Sequence, residues 1–387
     1  MPIKEFGESP VILTTESGSA GLVETKHYTF SDINNKLLLD NGEKLGPISV
    51  AYETYGSLND SKDNAILIEH ALTASAHAAG KNSEDDKYPG WWDVMIGPGK
   101  AFDTDKYFVI CPNILGSCYG TTGPSSINQE KGRPFGSEFP VITIKDMVRV
   151  QKELLDYLEI KRLSCIAGGS MGGMQALEWC LEYPDYVDRL ILIASAARST
   201  PQSIAIHKVG VSAIMNDPNW NNGNYYGSEF PKGGLSVARM LGHITYLSDE
   251  WLWKKFGRVH TDPANMKKSL ISNFEIEKYL EYQGEKFIER FDSNSYIYLL
   301  RAIDLYDAAE GFPDLEESFS RVKTDNILIV SFSNDWLYPS YQSKELLEAF
   351  RQNKSDVQYN EIQSPYGHDS FLLEYEKLTD LIRGFLN

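Results

Sequence analysis

The sequence predicts an α/β fold: a mostly parallel β-sheet with helices on both faces and a helical insertion over one edge. Three observations carry this expectation. Short apolar runs recur along the chain, helical patterns alternate with them, and one long stretch in the second half breaks the alternation. Strands alternating with helices are the mark of a parallel sheet closed by crossover helices.

Taken in order, the expected strands are Ile48 to Gly56, Ala65 to His70, Tyr107 to Pro112, Leu163 to Ala167, Leu190 to Ser195, Ile327 to Phe332 and Val357 to Ile362. Most are continuously apolar rather than alternating, so both faces should be covered. Helical spacing marks Ile144 to Ile160, Ser343 to Gln352 and Ser370 to Leu386. From Ala197 to Val322 the apolar residues fall at three- and four-residue intervals with no convincing strand, as in "GLSVARMLGHITYL" and "ANMKKSLISNFEIEKYLEYQGEKFIERF". Within it, Asn216 to Gly234 reads as a polar loop rich in Gly and Asn. The expected organisation is a core domain of residues 1–196 and 323–387 and a helical lid of residues 197–322.

Composition narrows the function. A formal charge of −17 over 387 residues argues against a broad nucleic-acid or anionic-membrane footprint, which needs clustered Lys and Arg. The opening "MPIKEFGESPVILTTESG" lacks the apolar core of a signal peptide, and no run is long enough to span a bilayer, so a cytoplasmic location is expected. Cys111, Cys118, Cys165 and Cys180 fit neither zinc-ligand spacing nor a disulfide framework. Neither a metal nor a tightly bound cofactor is expected.

One motif carries chemistry. The apolar run from Leu163 ends in Gly168-Gly169-Ser170-Met171-Gly172 and enters the helical pattern "MQALEWCLEY". Gly-x-Ser-x-Gly between strand and helix is a nucleophile elbow, in which a sharp turn exposes a serine hydroxyl above the sheet. Glycine-sized neighbours let strand and helix pass closely, and the helix aims its free N–H groups at the same point. A serine hydroxyl needs a base, itself oriented by a carboxylate. On such a fold the order is serine, acid, histidine, each after a strand. Asp335 in "SNDWLYP" and His368 in "QSPYGHDSF" have that order and position, whereas His207, His243 and His260 fall in the insertion and read as packing or surface residues. Asp335 also fits a turn cap, and Asp314, Asp325 and Glu361 are the weaker acids. The oxyanion donors are expected at the backbone N–H groups of Met171 and Leu72, the latter in "AILIEHALTASAH", where His70 and His77 read as structural.

These residues specify acyl transfer without naming the acceptor. Esterase and acyltransferase share them. Longer segments go further: "ISVAYETYGSLN", "HALTASAH", "PGWWDVMIGPGKAFDTDKYFVICPNILGSCYGTTGPSSIN", "AGGSMGGMQALEW", "GLSVARMLGHITYLSDE" and "YGHDSFL" occur in one order over more than three-quarters of the chain. In these the sequence resembles the homoserine O-acetyltransferases, enzymes of methionine biosynthesis with the α/β-hydrolase fold. The resemblance implies a ping-pong reaction in which Ser170 takes acetyl from acetyl-CoA and passes it to L-homoserine. It implies that Arg239 holds the substrate carboxylate and Asp369 its amino group, and that two subunits pair through the helical lid. Read without the resemblance, Arg239 also fits a solvated helix residue, and a cap of the final helix is the favoured reading of Asp369. Tyr246 fits the acceptor pocket or the core equally. Leu247 stands where family members often carry Arg, which lessens the positive charge expected near the lid. Homoserine O-succinyltransferase and serine O-acyltransferase are the nearest alternatives, and a carboxylesterase is the alternative of a different class.

Overall fold

The computed structural model describes residues 18–263, 268, 270 and 274–387. The opening segment weighed for a signal peptide, and the front of the helical pattern that starts at residue 264, lie outside the described residues almost entirely. Eight strands form the central sheet: β1 (Lys26–Phe30), β2 (Ile48–Tyr55), β3 (Ala65–Glu69), β4 (Phe108–Pro112), β5 (Cys165–Gly169), β6 (Arg189–Ile193), β7 (Asn326–Phe332) and β8 (Asp356–Ile362). Their spatial order is β1-β2-β4-β3-β5-β6-β7-β8, with β2 antiparallel to both neighbours and β3 to β8 parallel.

Both faces of this sheet are covered, as the continuous apolar runs require. Every residue of β3 and β5 is buried. On one face pack α1 (Ile144–Tyr157) and α2 (Met171–Glu182), with Leu154, Met174 and Trp179 in one large core. On the other, α11 (Tyr375–Leu386) contributes Leu378 and Ile382 to a second core with Trp92 and Phe102. Thr143 starts α1 through a capping box, its hydroxyl accepting the Asp146 N–H while the Asp146 carboxylate accepts the Thr143 N–H.

Between β6 and β7 the described chain holds α3 (Pro201–Met215), α4 (Lys232–Tyr246), α5 (Asp249–Phe256), α6 (Glu275–Ile288), α7 (Ser293–Leu305) and α8 (Leu315–Phe319). α3 and α6 pack on either side of α4. After β7 comes α9 (Ser340–Gln352), and after β8 the single turn α10 (Ser370–Leu373). No helix among the described residues is long and apolar enough to cross a membrane.

The structure corrects three sequence expectations. β1 was not anticipated, because "KHYTF" at the sheet's edge has no apolar run and pairs only with β2. The strand expected from Leu163 begins at Cys165 and takes in both glycines, while the Leu163 N–H turns aside to the Tyr186 carbonyl. The helix expected from Ser370 to Leu386 breaks at Glu374, whose backbone (φ −88°, ψ 41°) leaves the helical region. The break changes the chain's direction within one core: Phe371 packs against Gly169 beneath the nucleophile, and after Glu374 α11 sets Leu378 and Ile382 into the same core.

Candidate active site

Parallel strands end together, so the residues just beyond β3, β5, β7 and β8 converge on one edge of the sheet. Ser170 directly follows β5 and stands at φ 58°, ψ −124°, a conformation that costs a non-glycine residue about 1–3 kcal/mol. Its surroundings enforce that strain. A Cβ on Gly168 would lie 2.1 Å from the Gly172 carbonyl oxygen, and one on Gly172 would lie 2.1 Å from that of Glu69. The Ser170 backbone is tied on both sides, its N–H to the Ile193 carbonyl at 2.9 Å and its carbonyl to the Ser195 hydroxyl at 2.8 Å.

His368 Nε2 lies 2.9 Å from Ser170 Oγ, and its Nδ1 lies 2.7 Å from Asp335 Oδ2. The other Asp335 oxygen accepts the N–H groups of Leu337 and Tyr338, at 3.0 and 2.8 Å, so the carboxylate cannot rotate freely. All three side chains are buried. With Nδ1 donating to the carboxylate, Nε2 is left as the acceptor for the serine proton. The weaker acids are engaged elsewhere: Asp314 caps α8 and Glu361 pairs with Lys344. Gly367, at φ +80°, brings the histidine loop against α4, since a Cβ there would lie 2.6 Å from the Ser248 nitrogen. The Trp336 indole donates to the Leu247 carbonyl, and buried Leu247 thereby joins the same clamp.

The loop after β3 carries Leu72. Among the described residues neither the Leu72 nor the Met171 N–H has a backbone or side-chain acceptor; Met171 directly follows Ser170, and Leu72 lines the same cavity as the serine. Behind them sits a buried polar network. Gln175 donates to the His70 carbonyl at 3.2 Å and accepts from Gln151 at 2.9 Å; Gln151 also donates to Glu69 at 2.8 Å and accepts from Trp179. Gln175 on α2 therefore ties the loop of Leu72 to the helix of Met171. Burial pushes the Glu69 carboxyl up to about 8, so it is neutral near pH 7. Burial likewise takes His70 down to about 4; its neutral ring accepts the Ile114 N–H on Nε2 and donates from Nδ1 to the Ala71 carbonyl. His70 thus holds the loop, and His77 braces it through Glu53 at 2.9 Å.

Ser170 and His368 open on a cavity of about 820 Å³ roofed by α3, α4, α6 and α7. Leu72, Arg239, Tyr246 and Asp369 line the same cavity, whereas the Met171 side chain is buried below it. Tyr246 links the two sites: its ring lies 6.3 Å from His368 and 5.6 Å from the Arg239 guanidinium. Arg239 stacks on Phe287 at 4.6 Å and reaches Thr73 Oγ1 at 3.5 Å, so it is not a solvated helix residue. Asp369 is no N-cap by hydrogen bond, and its carboxylate faces the cavity. Burial raises it to about 6, against the pull of His368 and Arg239.

Sequence reasoning missed Tyr338, whose ring lies 5.0 Å from His368 and whose hydroxyl lies against Ser170; burial holds that hydroxyl protonated. The only signal was its place three residues after Asp335. His207 and His243 were expected to pack or face solvent. Both line the cavity, His207 bonded to Asp304 at 2.6 Å and His243 to Tyr279 at 3.1 Å. Among the described residues no cluster of His, Cys, Asp and Glu could hold a metal ion.

Fold and site together define the α/β-hydrolase class, and the model of that family, described as the alpha/beta hydrolase fold, matches residues 64–375. A homoserine O-acetyltransferase of Deferribacter desulfuricans is 54% identical over 372 residues, covering 96% of this chain and 97% of that one. The chain belongs to the homoserine O-acetyltransferase family within that class. Among solved structures, a homoserine O-acetyltransferase from Bacillus anthracis is 32% identical with a TM-score of 0.89, covering 95% of this chain and 98% of that one. Esterase E22 superposes nearly as well, at 32% identity and a TM-score of 0.87, covering 95% of this chain and all of that one.

Proposed function

We propose that the protein transfers an acetyl group from acetyl-CoA to the hydroxyl of L-homoserine through an acyl-serine intermediate, giving O-acetyl-L-homoserine for methionine biosynthesis. Ser170 Oγ attacks the thioester carbonyl while His368 Nε2 takes its proton, and Asp335 stabilises the imidazolium. The tetrahedral oxyanion lies between the Leu72 and Met171 N–H groups, at the start of α2 where the helix dipole also favours negative charge. Collapse breaks the C–S bond, and CoA leaves with the proton from His368. The homoserine hydroxyl then gives its proton to His368 and attacks the acetyl carbon; the bond to Ser170 Oγ breaks and the serine is reprotonated.

The observation that carries this reading over simple hydrolysis is the pairing of Arg239 and Asp369 in the cavity of Ser170. A zwitterionic amino acid needs one cation and one carboxylate, and with both ends held its hydroxyl outcompetes water as an oriented nucleophile. Tyr246 forms the wall between clamp and base. Residues 197–322 act as the lid that roofs the cavity, and no tightly bound cofactor takes part. The apolar side chains of Ile204, Val209 and Met215 on α3 and of Val237 and Ile244 on α4 are exposed, which supports a homodimer closed through these helices. A cytoplasmic location fits the use of acetyl-CoA and a free amino acid.

Thiol release from acetyl-CoA tests the reading, measured with and without homoserine, serine or a succinyl-CoA donor. Release should depend on homoserine and vanish in Ser170→Ala. Release that ignores the acceptor would instead establish a hydrolase like the esterase it resembles in fold.

A further inference from the structure

The cavity is far larger than a small amino acid requires, and its charge runs against that of the chain. A protein with a net charge of −17 lines this one chamber with four cations, Arg239, Lys255, Lys286 and Arg290, and among the described lining residues with a single carboxylate, Asp369. Their arrangement is regular. Tyr279, Gln283 and Lys286 follow at helical spacing along α6, with Arg290 four residues on, so one stripe of the helix faces the cavity.

The positive wall begins beside the oxyanion loop. Arg290 Nη1 donates to the Thr73 carbonyl at 3.1 Å and to the Tyr119 hydroxyl at 2.6 Å, and its guanidinium lies 5.1 Å from the centre of the Phe287 ring that also carries Arg239. The wall continues to Lys255, whose ammonium lies 4.6 Å from the Tyr279 ring. His243 lies between: its Nε2 is buried without a partner, and burial together with Arg239, Arg290 and Lys255 keeps it neutral. Burial also lowers the pKa of Lys255, as expected for an ammonium held away from bulk water.

We propose that Lys255, Lys286 and Arg290 bind the phosphates of the acyl donor, the pyrophosphate and 3′-phosphate of a coenzyme A thioester. Arg239 and Asp369 are left to the amino-acid acceptor. The inference rests on the acetyl-CoA reading above and assigns the donor subsite within it. Three separated cations match a flexible polyanion, whereas a neutral acyl ester would gain nothing from them. The wall starts at Thr73, next to Leu72, so a thioester anchored on it approaches Ser170 from the lid side.

The test compares two donors on the full chain at fixed homoserine: acetyl-CoA and S-acetylpantetheine, which has the same reacting end without the nucleotide phosphates. Lys255→Glu, Lys286→Glu and Arg290→Gln should each lower the ratio of kcat/KM for acetyl-CoA to that for S-acetylpantetheine about tenfold, the usual scale of a hydrogen bond to a charged group. Lys344→Ala, remote from the cavity, should leave the ratio at its wild-type value. Adenosine 3′,5′-bisphosphate should compete with acetyl-CoA in the wild type, and added salt should lower the same ratio without any substitution. A ratio within twofold of wild type in all three variants, with no salt dependence, overturns the assignment. Absence of homoserine-dependent turnover of either donor in the wild type would overturn the acyltransfer reading itself, and the two failures are distinct.

Discussion

Asp369 should impose a pH limit on the acceptor that the nucleophile does not share. Its carboxyl lies at about 6, raised by burial, and only the ionised form attracts the substrate ammonium. As pH falls through 6 the group takes a proton and loses its charge. The ionised fraction goes from about 0.9 at pH 7 to about 0.1 at pH 5, a tenfold loss in kcat/KM for homoserine, equivalent to about 1.4 kcal/mol. The control is the acylation burst with an activated acetyl ester, which uses Ser170 and His368 but no amino-acid clamp, so that any pH effect on the nucleophile divides out. The assay divides the acceptor pH profile by the burst profile. In the wild type the quotient should fall with an apparent pKa near 6; in Asp369→Asn it should be flat and lower by about 10- to 100-fold at neutral pH, the cost of one charge-assisted bond of about 1.5–3 kcal/mol. A wild-type quotient that is flat from pH 5 to pH 8 would refute the role given to Asp369.

Other outcomes follow from the same geometry. Asp335→Asn should keep the fold and cut kcat by about four orders of magnitude, because the amide no longer holds the His368 tautomer. Gln175→Leu should lower kcat more than it raises either KM, since it frees the His70 carbonyl and with it the Leu72 loop; Gln175→Glu, which keeps the length but not the donor, should not rescue. Glu69 adds a stability prediction. Its folded pKa of about 8 lies above the unfolded value of 4.5, so its contribution is complete below pH 4.5 and is lost as pH rises toward 8. Glu69→Gln, neutral at every pH, should therefore raise the urea midpoint at pH 8 by the equivalent of about 4 kcal/mol and leave it nearly unchanged at pH 4.5. Gly172→Ala should abolish soluble expression, because its Cβ would lie 2.1 Å from the Glu69 carbonyl oxygen, in backbone that cannot move without breaking the β3–β5 pairing.

The sheet was legible because its strands are continuous apolar runs, and such runs have few alternatives to a covered parallel sheet. β1 was not, since "KHYTF" draws its stability from a single antiparallel partner and from stacking of Tyr28 on Tyr157 at 4.1 Å. The positions of Ser170, Asp335 and His368 could be read because each follows a strand, and strand ends are local properties. The cations of the donor wall could not, because Lys255 belongs to one stretch of helix pattern and Lys286 and Arg290 to another, and each resembles any solvated lysine or arginine.

Sequence by itself determined what is local or cumulative: the apolar periodicity that makes a covered sheet, the glycines that permit the elbow, and the extended identities that place the chain in its family. Only tertiary structure decided that His368 stands 2.9 Å from Ser170, that Asp369 is a cavity carboxylate near pH 6 rather than a helix cap, and that a chain of net negative charge encloses a positive chamber. The reason is that hydrogen bonds, burial and fields depend on separations in space of a few ångströms. Residues far apart in the chain acquire such separations only when the elements carrying them pack.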